Sequence, residues 1–90
     1  MNSEYLGKDI GVDSEKDIVK VRNAVYKVSE NVGLNQFDRT KVATAASELA
    51  RNIIEYAGNG RVIIIPLTGG SKGIQIVARD EGPGIDNVDE

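Results

Sequence analysis

The chain has 90 residues, a formal net charge of −3 at pH 7, and neither cysteine nor histidine. This length fits a single domain with a modest core, and the negative charge with only four aromatic residues (three Tyr, one Phe) argues against nucleic-acid binding. Without cysteine or histidine, any acid–base or metal chemistry must rest on carboxylates, amides and hydroxyls, which are hard oxygen ligands that favour magnesium or calcium over zinc.

The first third of the chain predicts a weak strand followed by an amphipathic helix. Residues 5–12 alternate loosely as a strand would. Ser14, with Asp17 three residues later, is typical of a capped helix start. Gly33 is suited to the left-handed residue that ends the helix. The apolar stripe recurs at steps of three and four and consists of Ile18, Val21, Val25, Val28 and Val32.

A second helix is predicted from Asn35, which has Asp38 three residues after it, to the Gly-Asn-Gly segment at 58–60. Tyr56 lies at the end of its apolar stripe, so we expect this ring to pack in the core. The stripe consists of Val42, Ala46, Leu49, Ile53 and Tyr56.

The last third predicts a β-hairpin. Residues 61–67 are apolar on both faces, as in a strand buried on both sides, and residues 74–79 alternate apolar with polar. The glycine-rich segment 68–73 joins two strands rather than a strand and a helix, so a hairpin turn is favoured over a phosphate-binding loop. The expected fold is an α/β (α+β) two-layer sandwich formed by a single domain over 1–90, with both helices on one face of a mainly antiparallel sheet.

No segment is predicted to cross a membrane. The longest apolar run, 62–65, is far too short to span a bilayer, and the amino terminus lacks the layout of a signal peptide. These features predict a soluble, cytoplasmic protein.

Glu48, Asn52 and Glu55 form a row on the second helix, because residues three and four apart are neighbours on a helix surface. We expect the row at the edge of the core, beside the apolar stripe. The Asn52 amide oxygen could bind Mg²⁺, and Glu48 could then accept a proton or orient an attacking hydroxyl. By itself, this spacing is more often two surface polar residues on an amphipathic helix. Arg51 is explained by an ion pair on the helix surface with Glu48 or Glu55, although a phosphate or partner contact stays open.

Asp80 ends the last predicted strand and is followed by Glu-Gly-Pro-Gly. Its carboxylate could accept a hydrogen bond from an exocyclic amine such as that of adenine. Gly82 and Gly84 have no side chains, so a purine ring could lie against their backbone. Without other evidence, an ordinary turn explains this segment about as well.

Together, these two motifs resemble the GHKL ATPase superfamily (gyrase, Hsp90, histidine kinase, MutL). Residues 47–52 (Ser-Glu-Leu-Ala-Arg-Asn) match its N box, and residues 80–85 (Asp-Glu-Gly-Pro-Gly-Ile) match its first glycine box. With residues 56–60 (Tyr-Ala-Gly-Asn-Gly), the N box also resembles the RsbT-type switch kinases of bacterial stress signalling.

The resemblance implies a Bergerat-type fold and a set of residue roles. Asp80 would recognise adenine, Gly82 and Gly84 would line the base pocket, Asn52 would bind Mg²⁺, and Glu48 would act as the base. The cofactors would be ATP and Mg²⁺. The protein would phosphorylate a serine or threonine of a STAS-domain protein and, once released, would activate a PP2C-type phosphatase.

The sequence departs from the family after the first glycine box, because no second glycine-rich box follows it. We therefore expect the chain to be the N-terminal portion of the family's domain. An alternative function is a binding module, such as an anti-sigma factor, that acts by sequestering its partner. A structural α/β domain without nucleotide binding is a third hypothesis.

Overall fold

The computed structural model describes residues 7–67, 69–70 and 72–81, which form two helices on one face of a three-stranded antiparallel sheet. The elements are β1 (Lys8–Val12), α1 (Glu15–Asn31), α2 (Gln36–Tyr56), β2 (Gly60–Leu67) and β3 (Gly73–Asp80). Strand β2 lies at the centre of the sheet, between β1 and β3. Helix α1 packs mainly on β1 and β2, and α2 on β2 and β3. The two-layer α+β fold predicted from the sequence is confirmed.

Helix α1 has the boundaries and the buried face that its sequence predicts. The Asp17 carboxylate accepts hydrogen bonds from the backbone N–H groups of Asp13 (3.0 Å) and Ser14 (3.2 Å), and so caps the helix start. Gly33 has a φ of 91°, which an L-residue rarely adopts, and it follows the helix end as expected. All five residues of the predicted stripe are buried (Ile18, Val21, Val25, Val28 and Val32).

Helix α2 begins as predicted, since the Asp38 N–H donates to the Asn35 side chain at 2.8 Å. Its buried face, however, is rotated from the predicted stripe and consists of Ala43, Ala46, Ala50 and Ile53. The expectation that Tyr56 packs in the core is wrong, because this residue is 80% exposed. Small alanine side chains let α2 approach α1 and the sheet closely, so the larger Val42 and Leu49 lie at the border, half-buried.

Strand β2 is covered on one face only. Val62 and Ile64 are buried beneath the helices, whereas Ile63 and Ile65 are half-buried on the other face, where the described part of the chain places no helix. The prediction of a strand buried on both faces is therefore wrong for the second face. Neither helix in the described ranges is both long and apolar enough to cross a bilayer.

Candidate functional site

Glu48 and Asn52 lie one turn apart on the exposed face of α2. Each residue of a helix advances about 100°, so both are nearly opposite the buried face that Ala46 and Ala50 define. The expectation that they lie at the edge of the core is therefore wrong, for the same reason that Tyr56 is exposed. Neither side chain forms a hydrogen bond or ion pair with another described residue. Within the described part of the chain, nothing therefore keeps either side chain from a ligand.

Asp80 is the last residue of β3, as the sequence predicts, and it pairs with Gly60 across the β2–β3 ladder. Directly paired residues of antiparallel strands have side chains on the same face. Gly60, like Val62 and Ile64, faces the helices, so the Asp80 side chain lies on the helix side of the sheet.

Gly60 also brings β3 close to the half of α2 that carries Asn52. The position that a Cβ would take on Gly60 is 2.9 Å from Ile53 Cγ2 and 3.1 Å from Asp80 Cα. Ile53 is the residue after Asn52, so the strand end with Asp80 and the helix turn with Asn52 meet at this glycine. Gly82 and Gly84, the other two predicted ligand-contacting residues, lie outside the described residues.

Arg51, within the same segment of α2, forms an ion pair with α1. Its Nη1 is 3.7 Å from Glu15 Oε2, and the two side chains are 49% and 83% exposed. The prediction of an ion pair with Glu48 or Glu55 on the same helix is therefore wrong. An exposed pair of this kind contributes about 0–1 kcal/mol to stability.

An open cleft of about 390 Å³ lies at the same end of the sheet, on the α1 side. Lys16, Lys20, Arg61 and Glu81 are among its lining residues, but Glu48, Asn52 and Asp80 are not. The Arg61 Nε donates to Asp9 Oδ1 at 2.7 Å, and this bond raises the pKa of the guanidinium. No sequence motif predicts this cleft, because its lining residues belong to separate elements that only folding brings together.

The histidine kinase-like ATPase domain family matches residues 12–90, and the chain belongs to this family. The GHKL resemblance inferred from the N box and the first glycine box is thus confirmed.

The chain is also 40% identical, over 80 residues, to the serine/threonine-protein kinase RsbT of Bacillus subtilis (strain 168). This match covers 88% of the chain and 60% of the relative, so the chain spans less than two thirds of that protein's length. No solved structure matches the chain significantly.

Proposed function

We propose that the chain binds ATP and belongs to a serine/threonine protein kinase of bacterial partner-switching stress signalling. The observation that carries this proposal is the meeting of two motifs at Gly60, where the strand end with Asp80 lies against the turn of α2 that carries Asn52. The family match and the 40% identity to RsbT support it.

In this proposal, Asp80 recognises the base of the nucleotide. Its carboxylate accepts a hydrogen bond from the exocyclic amine of adenine, and no other side chain of the described residues engages it. Gly82 and Gly84 follow at once in the sequence and would let the purine ring lie against the backbone.

Asn52 and Glu48 form the phosphate end of the proposed site. The donor set fits Mg²⁺, because an exposed amide oxygen is a hard ligand and Mg²⁺ usually takes only one or two protein ligands. When bound, the ion would neutralise charge on the phosphates. Glu48, one turn from Asn52, accepts the proton of the attacking serine or threonine hydroxyl. The hydroxyl oxygen bonds to the γ-phosphorus as the bond to the ADP oxygen breaks.

The substrate in this proposal is a STAS-domain protein, and release from it frees the kinase to activate a PP2C-type phosphatase. A second candidate is a non-catalytic module, such as an anti-sigma factor, that sequesters its partner. Both candidates bind a partner protein, so partner binding does not separate them. Transfer of labelled phosphate from ATP to a STAS-domain protein would distinguish them, because only the kinase produces it.

Nucleotide binding is tested by isothermal titration calorimetry of ATP with Mg²⁺, using the full chain that the gene encodes. Asp80→Asn should weaken ATP binding by roughly 10- to 150-fold, because a charge-assisted hydrogen bond of about 1.5–3 kcal/mol is lost. Glu30→Gln is the control, since it removes one negative charge from the exposed surface of α1 at the end far from Asp80. Equal affinity of Asp80→Asn and the wild type would exclude the adenine-recognising role.

The proposed base is tested separately. Glu48→Gln keeps the size of the side chain but cannot accept the hydroxyl proton, so phosphoryl transfer should be abolished while ATP affinity changes little. A Glu48→Gln variant that still phosphorylates the STAS-domain protein at the wild-type rate would show that another group is the base.

A further inference from the structure

Arg51 has three carboxylates within reach, and the structure pairs it with the one on another helix. Glu48 and Glu55 lie three residues before it and four after it on α2, which are the spacings that favour an ion pair. Its guanidinium instead contacts Glu15, the first residue of α1, at 3.7 Å. Within the described ranges, Glu48 and Glu55 take part in no ion pair.

The packing of the two helices explains this choice of partner. Helices α1 and α2 are antiparallel, since Glu15 meets Arg51 near one end of the pair and Tyr26 donates to Thr40 at 3.3 Å near the other. Arg51 directly follows the buried Ala50, on the flank of α2 that faces the start of α1. Glu48 lies about 60° further around the helix from Arg51, away from the buried face.

This arrangement matters because an arginine on Glu48 would interfere with its proposed role. A guanidinium binds a carboxylate through two parallel N–H donors and occupies the oxygen lone pairs that would take the substrate proton. It would also neutralise the negative charge that draws this proton. Glu48 can act as a base only while Arg51 is held elsewhere.

We propose that Glu15 is a positioning residue, which keeps Arg51 on the α1 side and so leaves the carboxylate of Glu48 open to substrate. The inference rests on the proposed function, since it assumes that Glu48 is the base. Both partners are exposed, so the ion pair adds little to stability. What the Glu15–Arg51 ion pair changes is the carboxylate that Arg51 contacts.

The test measures kcat and the KM for ATP of phosphoryl transfer to the STAS-domain protein, in the full chain that the gene encodes. Glu15→Gln should lower kcat by up to about threefold without changing the KM, because an exposed ion pair favours one partner of Arg51 over the others by at most about fivefold, and Glu48 takes part of the share that Glu15 gives up. The double variant Glu15→Gln with Arg51→Gln should restore the wild-type kcat, because it has no arginine to cover Glu48. Arg51→Gln by itself and Glu30→Gln should both keep the wild-type kcat.

Each other result would overturn the inference. An unchanged kcat in Glu15→Gln would show that Glu15 does not protect Glu48. A kcat that stays low in the double variant, or falls in Arg51→Gln, would show that Arg51 contacts substrate or supports the fold instead. A wild-type chain that transfers no phosphate would refute the proposed function and the inference with it, so the two failures can be told apart. Glu15→Gln loses a favourable charge in the first turn of α1, whereas Glu30→Gln loses an unfavourable one in its last turn. Thermal denaturation of Glu15→Gln should therefore stay cooperative, with a Tm slightly below that of Glu30→Gln.

Discussion

Gly60 is the position where one added methyl group should disturb both the fold and the candidate site. A Cβ built on it would overlap the carbonyl oxygen of Arg79 and lie 2.9 Å from Ile53 Cγ2 and 3.1 Å from Asp80 Cα. Two of these three atoms are backbone atoms of β3, which cannot move without disturbing the ladder between β2 and β3. Gly60→Ala should therefore push the strand end with Asp80 away from α2.

The expected loss of stability is the difference between two opposing effects. Overpacking of a well-packed region costs about 1–3 kcal/mol. Replacing glycine by alanine lowers the entropy of the unfolded chain and returns about 0.4–1 kcal/mol. The net loss is about 1–2 kcal/mol, which corresponds to a fall of roughly 4–16 °C in Tm for a domain of this size.

The measurement is thermal denaturation followed by circular dichroism, together with calorimetric titration of ATP. Gly11→Ala is the matched control, because among the described residues the same methyl group on β1 would contact only the Arg61 Nη1 at 3.8 Å, an ordinary van der Waals distance. Gly11→Ala should thus keep or slightly raise Tm, and it should bind ATP as the wild type does. If Gly60→Ala is as stable as Gly11→Ala and binds ATP equally well, the close approach of β3 and α2 at Gly60 is not a feature of the folded protein.

Two further predictions concern the core and the helix cap. Ile53→Ala should lower the free energy of unfolding by about 2–5 kcal/mol, because the Ile53 side chain is only 2% exposed. Tyr56→Ala should change it by less than about 0.5 kcal/mol, because Tyr56 lies on the surface. Urea titrations that give the two variants similar losses would contradict the observed orientation of α2. The pKa of Asp17 is lowered from 3.8 to about 2 by hydrogen bonds from backbone N–H groups, and the bond from the Asp13 N–H has the largest effect. A lowered folded-state pKa means that the stabilisation by Asp17 is complete above about pH 5, where the carboxyl is ionised in the unfolded chain too, and is lost as the pH falls through about 2. The difference in Tm between the wild type and Asp17→Asn should therefore shrink between about pH 5 and about pH 2, and a difference that is constant over this range would contradict the cap.

Much of the fold can be predicted from the sequence because its signals are local. The stripe of α1 contains large β-branched residues at regular spacing, and all of them are buried as expected. Capping by Asp17 and Asn35 and the left-handed Gly33 are likewise decided within a few residues of chain. Such features depend on short-range geometry, which the residue types reveal.

The orientation of α2 could not be predicted in the same way. Its predicted stripe follows mainly the large apolar residues and ends at Tyr56, whereas the close packing of the helix depends on alanines that carry little hydrophobic signal. Whether a small residue lies inside depends on how near the neighbouring elements approach, and this is a property of the tertiary structure. The partner of Arg51 was missed for a related reason, since Glu15 is distant in sequence and only the antiparallel packing of α1 and α2 brings it near.

The same alanines connect the fold to the candidate site. Because Ala43, Ala46 and Ala50 occupy the buried face, α2 packs closely and turns Glu48 and Asn52 outward. Had the larger residues of the predicted stripe packed inside, the helix would be rotated and these two polar side chains would lie nearer the edge of the core, where they would be less open to a ligand. The small residues on one side of α2 thus determine how accessible the polar residues are on the other, so the packing of the core and the chemistry of the site are properties of one helix orientation.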